Sequence, residues 1–325
     1  MRIFVTGATG FVGRALVDNL IADGHSVIAG VRAISAELPV EVEQKLVGDL
    51  RLLLDEQNTF TDILKNVDVV IHTAARVHIM NDNSVDPLTE FRKVNVTATH
   101  ELAKQAARTG VKRFIFLSSI KVNGESTDNR EVFRETDEPF PEDAYGQSKL
   151  EAEQALFELG HTSSMEIVVI RPPLIYGPGV KANFANMINI IKKGIPLPFG
   201  AVANKRSMLA IDNLVSFIKL SMTHTAATNQ IFLIADGEDV STTELLKKIA
   251  KAYKKSSRLI PVPVSWMIFF AKLLGKQNIA IRLFGDLQID IGKAHRVLGW
   301  KPITSMDQQL KKMFEWDINS NTTKH

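Results

Sequence analysis

A tyrosine and a lysine four residues apart, Tyr145 and Lys149, form the most reactive pattern in this chain. On a helix, side chains at positions i and i+4 share one face, so the lysine ammonium would lie beside the phenol. A neighbouring positive charge lowers the pKa of a phenol, and we therefore predict that tyrosinate is accessible near neutral pH. Ser119 follows an apolar run at residues 113–118 and adds a hydroxyl that could hold a reacting oxygen. These three residues predict acid–base catalysis.

A glycine-rich segment near the start of the chain has the spacing G-x-x-G-x-x-G. It follows a β-branched run at residues 2–6 and precedes a helical pattern at residues 11–22, which is the context that makes a glycine pattern informative. A pyrophosphate approaches backbone N–H groups closely at a helix N-terminus, where a Cβ would block it. We therefore predict a dinucleotide site made by Gly7, Thr9, Gly10, Phe11, Val12 and Gly13.

The residue after the second predicted strand indicates which dinucleotide is bound. Many NAD enzymes carry an acidic residue there, which binds the ribose 2′-hydroxyl. This chain has Arg32 instead, and no carboxylate precedes Glu37. A guanidinium could pair with a 2′-phosphate. The sequence therefore favours NADP(H) and leaves NAD(H) open.

These residues need a scaffold, and the alternation of apolar runs with helical patterns predicts one. Six such runs, the third at residues 46–49, alternate with helical segments that include residues 87–109 and 143–159. The pattern predicts an α/β fold, a Rossmann-type doubly wound parallel sheet. Proline and glycine interrupt the pattern after residue 171. We predict a dinucleotide-binding domain at residues 1–171, which residues 212–236 rejoin, and a smaller, mostly helical substrate-binding lobe at residues 172–211 and 237–325.

Composition excludes several classes of protein. The chain has 325 residues, 45% of them apolar, a formal net charge of +3 and no cysteine. A disordered chain, a disulfide scaffold and cysteine-based metal sites are excluded. The weak net charge argues against nucleic acid as a partner, and no histidine cluster predicts a metal. We expect a cytoplasmic protein. The longest apolar stretch, residues 262–275, is too short to span a membrane. It predicts a buried or substrate-covering helix, with an interfacial membrane contact as the alternative.

The motifs together resemble the extended short-chain dehydrogenases/reductases, in the group of nucleotide-sugar epimerases, dehydratases and reductases. The resemblance covers nearly the whole chain. It implies that Tyr145 is the acid/base, that Lys149 positions the nicotinamide ribose and lowers the Tyr145 pKa, and that Ser119 binds the reacting oxygen. It also implies a homodimer formed through the helices at residues 87–109 and 143–159. Further cofactor contacts are implied for Asp49, Leu50, Thr73, Ala74, Ala75, Asn95 and Pro172.

The same resemblance implies a nucleotide-sugar substrate, and the second lobe favours a UDP-sugar. Charged and amide side chains there would hold the diphosphate by charge-assisted hydrogen bonds. An apolar segment would line the base. With Ser119, the implied substrate contacts are Lys121, Asn183, Leu197, Phe199, Arg206 and Arg282.

Three reactions at C4 of the sugar remain to be separated. Related 4,6-dehydratases carry an Asp-Glu pair after the hydroxyl residue, whereas this chain has Ile120 and Lys121, which argues against dehydration. The absence of an acidic residue at position 32 favours an NADPH-dependent 4-keto reductase that forms a UDP-N-acetyl-6-deoxyhexosamine. The alternative is an NAD-dependent UDP-sugar 4-epimerase, which oxidises C4, lets the keto sugar rotate and returns the hydride. More remote alternatives are a reductase of non-nucleotide ketones and a non-catalytic NADP(H) sensor.

Overall fold

The apolar runs of the sequence form strands of two sheets in the computed structural model, which describes residues 1–49, 60–77, 86–128, 130–275, 280 and 283–322. The ten strands are β1 (Arg2–Thr6), β2 (Ser26–Val31), β3 (Glu43–Leu46), β4 (Val69–His72), β5 (Arg113–Leu117), β6 (Glu166–Arg171), β7 (Leu174–Tyr176), β8 (Arg206–Ala210), β9 (Gln230–Leu233) and β10 (Asp239–Val240). Seven of them make a parallel sheet in the order β3-β2-β1-β4-β5-β6-β9. This order confirms the predicted doubly wound sheet.

Helices cover both faces of this sheet. The helices of the described residues are α1 (Phe11–Ala22), α2 (Thr61–Leu64), α3 (Pro87–Arg92), α4 (Ala98–Arg108), α5 (Ala144–Thr162), α6 (Ala182–Lys192), α7 (Ile211–Ser221), α8 (Thr242–Ala252), α9 (Val264–Leu273), α10 (Gly292–Leu298) and α11 (Met306–Thr322). One core cluster joins the sheet to α1, α7 and α10, and the other joins it to α2, α4 and α5. Strand β4 shows why: Ile71 packs into the first cluster and Val70 into the second, because successive side chains point to opposite faces.

The smaller sheet has the order β10-β8-β7 and packs with α6, α8 and α11 around a separate core. The rings of Tyr176 and Phe184 are stacked there, 5.4 Å apart. Strand β9 pairs with β6 in the large sheet, as expected of residues 212–236. Ala294, Leu298 and Trp300 also pack in the core of the large sheet, although the sequence assigns them to the second lobe. The division into domains stays a prediction.

Three local features differ from the sequence prediction. Strand β3 lies at Glu43–Leu46, before the predicted residues 46–49, because it is a half-exposed edge strand without an apolar run. The long helix at residues 87–109 is interrupted by a π-helical turn at Lys93–Thr97. The helix predicted within residues 262–275 is present as α9, but no residue of it is buried, so burial is wrong and a substrate-covering role stays a prediction. Among the described residues, no helix is long and apolar enough to cross a membrane.

Candidate active site

The glycine loop between β1 and α1 is too tight for side chains. Gly7 has a φ of +69°, which L side chains rarely adopt, and a Cβ on it would lie 2.7 Å from the Ala74 nitrogen. A Cβ on Gly13 would lie 2.1 Å from the Gly7 carbonyl oxygen. Gly10 caps α1 without a side-chain hydrogen bond, so the first N–H groups of the helix have no side-chain cap. This cradle fits the diphosphate of a dinucleotide, because it offers N–H donors at a positive helix end.

The loop after β4 borders the glycine loop at the point where the strand order reverses. The Thr73 hydroxyl donates to the Thr6 carbonyl oxygen over 2.7 Å, which ties the two loops together. Ala74 and Ala75 follow, both half-buried. His72 is fully buried between the Thr6 and Thr99 hydroxyls, and burial lowers its pKa to about 3. Ligands bind at such reversal points in open parallel sheets.

The end of β2 carries the residues predicted to select the dinucleotide. Arg32 is exposed immediately after β2. The Val47 nitrogen donates to the Val31 carbonyl oxygen over 2.9 Å, which brings the half-buried Asp49 to the same sheet edge. Leu50, the next predicted cofactor contact, lies outside the described residues. These positions do not by themselves distinguish NAD from NADP.

Ser119 and Tyr145 come together beyond the carboxyl end of β5. Their side chains form a hydrogen bond, which lowers the Tyr145 pKa, but burial and the neighbouring Asp143 carboxylate raise it more. The net direction is upward, so the phenol keeps its proton at neutral pH. The predicted lowering of the Tyr145 pKa is therefore wrong.

Lys149 is fully buried one helical turn after Tyr145. Its ammonium donates to the Leu117 carbonyl oxygen over 2.8 Å and lies 4.4 Å from the centre of the Phe116 ring. It is 5.9 Å from the centre of the Tyr145 ring. Burial lowers the Lys149 pKa to about 7, although Glu153 opposes the change. Near neutral pH this lysine is therefore only partly charged, which explains why it does little for Tyr145.

A buried ion pair that the sequence analysis missed lies behind Lys149. The Arg171 guanidinium binds the Glu153 carboxylate through three contacts of 2.5 to 3.2 Å. The Ser118 hydroxyl donates to the same carboxylate, and Arg171 also donates to the Asn123 amide oxygen over 3.0 Å. The network joins β5, α5 and β6 beneath the site. Its sequence signal was Glu153, which lies four residues after Lys149 on one helix face.

Lys121, predicted to contact substrate, is held by two carboxylates. Its ammonium forms ion pairs with Glu125 and with Asp143. Asp143 also caps α5 by accepting a hydrogen bond of 2.7 Å from the Gly146 nitrogen. Lys121 therefore partly neutralises the carboxylate that faces Tyr145.

Asn95 and Pro172 brace the site from two other sides. The Asn95 amide accepts from the Arg76 nitrogen over 2.8 Å and donates to the Ser148 hydroxyl over 2.9 Å. It thus links the loop after β4 to the turn of α5 that carries Tyr145. The Pro172 carbonyl oxygen accepts from the Ile120 nitrogen over 3.0 Å, next to Ser119.

Two of the predicted substrate contacts in the second lobe, Phe199 and Arg206, meet the segment at residues 284–285. The Phe199 and Phe284 rings meet edge to face, 6.0 Å apart, and Arg206 donates to the Gly285 carbonyl oxygen over 2.9 Å. Leu197 is half-buried in the same segment as Phe199. Asn183 is exposed in the first turn of α6. Arg282 lies outside the described residues, and the substrate roles of all these residues stay predictions.

A doubly wound sheet, a glycine cradle and a serine, tyrosine and lysine at one sheet edge define the class as an extended short-chain dehydrogenase/reductase. The chain belongs to the NAD dependent epimerase/dehydratase family, whose model matches residues 3–235. It is therefore an enzyme of the nucleotide-sugar branch, as the sequence predicted.

Individual relatives match over almost the full length. The chain is 46% identical over 322 residues to a UDP-glucose 4-epimerase from Vibrio cholerae, covering 98% of this chain and 96% of that protein. It is 28% identical to an N-acetyl-alpha-D-glucosaminyl-diphospho-ditrans,octacis-undecaprenol 4-epimerase from Escherichia coli O157:H7, covering 98% and 95%. The structure of MoeE5 in complex with UDP-glucose and NAD matches with a TM-score of 0.78 at 25% identity, covering 99% of this chain and all of that one.

Proposed function

We propose that the protein is an NAD-dependent 4-epimerase of a UDP-sugar. The observation that carries this proposal is the 46% identity, over 98% of the chain, to a UDP-glucose 4-epimerase. It favours the alternative of the sequence analysis over the 4-keto reductase, and no comparison supports the preference for NADP(H). Arg32 alone supports the reductase, and an exposed arginine is a common surface residue.

The proposed roles follow from the positions of the side chains. The glycine cradle and the loop at Thr73 would hold the dinucleotide, which would accept and return a hydride at C4 when bound. The Tyr145 phenolate would take the proton of the C4 hydroxyl during oxidation, and the phenol so formed would give it back during reduction. This role requires a lower Tyr145 pKa than burial and Asp143 leave it, so the phenol must lose its proton before the first step. Ser119, hydrogen-bonded to Tyr145, would hold the C4 oxygen in place. Lys149 would bind the nicotinamide ribose after leaving the Leu117 carbonyl oxygen.

The fate of a labelled hydrogen separates the two reactions. UDP-galactose with deuterium at C4 is incubated with the purified protein, and the UDP-glucose formed is analysed by mass spectrometry. An epimerase returns the same hydride, so we expect the product to keep its deuterium without net use of added NADPH. In parallel, the dinucleotide released by denaturation is identified, and NAD is expected.

The reductase would be supported instead by NADPH oxidation that matches, mole for mole, the reduction of a UDP-4-keto-6-deoxy-N-acetylhexosamine.

Removal of the Tyr145 hydroxyl tests the proposed acid/base. We expect Tyr145→Phe to slow the reaction by about 100-fold or more, in line with the usual effect of a general acid–base group. Tyr253→Phe is the matched control, because that hydroxyl binds Asp317 in the second lobe. Equal losses in both variants would reject the role of Tyr145.

A further inference from the structure

Helix α9 presents a large apolar surface to solvent. Its residues include Trp266, Ile268, Phe269, Phe270 and Leu273, and the exposed fractions of these side chains lie between 43% and 68%. None of its residues is buried. A helix that is apolar on all sides is normally covered by something, and apolar patches of this kind mark interaction sites.

The chain around α9 carries only positive charge. Residues 245–285 contain nine lysines and arginines and no aspartate or glutamate. The other 284 residues contain 30 basic and 36 acidic residues, so the charge of the protein is strongly segregated. Lys254, Lys255 and Arg258, which precede α9 in the chain, and Lys272 within it are all exposed. We call α9 and these four residues the basic apolar platform.

The platform is connected to the predicted substrate segment. The Leu197 nitrogen donates to the Arg258 carbonyl oxygen over 2.9 Å, and the Ile260 nitrogen donates to the Leu197 carbonyl oxygen over 2.8 Å. The Gly200 nitrogen donates to the Ile260 carbonyl oxygen over 2.9 Å. The segment that leads into α9 therefore lies next to residues 197–200.

We propose that the basic apolar platform docks the protein on the surface of an anionic phospholipid bilayer. Ten residues of helix are about 15 Å long, half the thickness of the hydrocarbon layer, so α9 would lie in the interface and not cross it. Tryptophan and phenylalanine favour this depth, and lysine and arginine beside them bind anionic headgroups. Charge complementarity selects this occupant. A second copy of the chain would bring two uniformly positive segments together.

Vesicle co-sedimentation of the full-length protein tests the proposal. Vesicles of phosphatidylcholine alone are compared with vesicles containing 30% phosphatidylglycerol. We expect binding to the anionic vesicles, weaker binding in high salt because screening reduces the attraction, and quenching of Trp266 by brominated lipid chains. The double variant Lys255→Glu/Arg258→Glu is expected to bind at least about 10-fold more weakly. Each substitution removes the attraction between a basic residue and the anionic headgroups and replaces it with repulsion.

Matched variants distinguish this surface from general stickiness. Phe269→Ser/Phe270→Ser is expected to abolish binding. Val40→Ser/Ile303→Ser removes two apolar side chains elsewhere that are even more exposed, and it is expected to leave binding unchanged. The proposal would be overturned if the two serine double variants bound equally well, or if the wild type did not bind to anionic vesicles. A dimer that Phe269→Ser/Phe270→Ser converts to monomers, without lipid binding, would assign the surface to a second copy. Activity on a soluble UDP-sugar is assayed separately, so failure here does not affect the proposed function.

Discussion

Replacement of Lys149 by methionine is expected to remove a pH-dependent part of the free energy of unfolding. Burial lowers the pKa of this lysine from 10.5 to about 7 in the folded protein. In the unfolded chain the same side chain keeps its proton until about pH 10.4. Between these two values the unfolded state binds a proton that the folded state does not. Stability therefore rises with pH in this window and is lost as the pH falls towards 7.

The size of the effect follows from the two pKa values. One pKa unit corresponds to about 1.36 kcal/mol, and the folded-state lysine is half protonated at the lower end of the window. From pH 7 to pH 9 the contribution of Lys149 is therefore about 2 kcal/mol. Urea denaturation of the wild type and of Lys149→Met, without dinucleotide, at pH 7, 8 and 9 measures it.

The difference in unfolding free energy between the two proteins should change by about that amount across the series, because other titrating groups are common to both. Lys301→Met, which removes an exposed lysine, is the control for the loss of a side chain. A difference that stays constant from pH 7 to pH 9 would refute the reasoning. It would mean that Lys149 is protonated in the folded protein throughout, and that the close approach to the Leu117 carbonyl oxygen offsets burial.

Three further predictions concern the loop, the ion pair and the environment of Tyr145. Gly13→Ala is expected to weaken NAD binding, measured by titration calorimetry, at least about 10-fold, because its Cβ would lie 2.1 Å from a backbone oxygen; unchanged affinity would contradict the cradle. Glu153→Leu should lower the free energy of unfolding, measured by urea denaturation, by about 3–5 kcal/mol, because it leaves the buried Arg171 guanidinium without a carboxylate partner. Glu158→Leu, at an exposed position, is the control. Lys121→Met removes the ammonium that pairs with Asp143, so the Asp143 carboxylate should raise the Tyr145 pKa further and move the pH–rate profile to higher pH. Lys121→Arg keeps the positive charge and should keep the wild-type profile. Identical profiles for all three proteins would reject an effect of Lys121 on Tyr145.

The sequence predicted best what depends on neighbouring residues. The bounds of β1 and α1 agree with the predicted residues 2–6 and 11–22, since a glycine follows the first pattern and Asp23 and Gly24 follow the second. The three glycines and the Tyr145–Lys149 spacing also act locally, within one loop and one helix. The position of β3 was predicted wrongly, because its polar residues carry no apolar pattern.

Features that depend on distant residues could not be predicted in the same way. The partners Glu153 and Arg171 lie on different elements, and only packing brings their charges within 2.5 Å. The direction of the Tyr145 pKa was wrong for a related reason. The spacing showed that a lysine is near, but not that burial weakens its charge or that Asp143 lies on the other side.

The π-helical turn at Lys93–Thr97 sets the phase of the helix that crosses the site. A π turn holds one residue more than an α turn, and such single extra residues often occur at functional sites. Upstream, α3 is anchored to α5 by the bidentate pair of Arg92 with Glu151, and downstream α4 is anchored in the core by Leu102. Deleting one residue between these anchors would have one of two results. It would convert the π turn into an α turn, which keeps both anchors and moves Asn95, or it would turn one anchor against the other by about 100°, since an α-helix turns once in 3.6 residues. The length of this segment is therefore fixed more strictly than its composition, and a shortened helix could keep its two anchors or the buried position of Asn95, but not both.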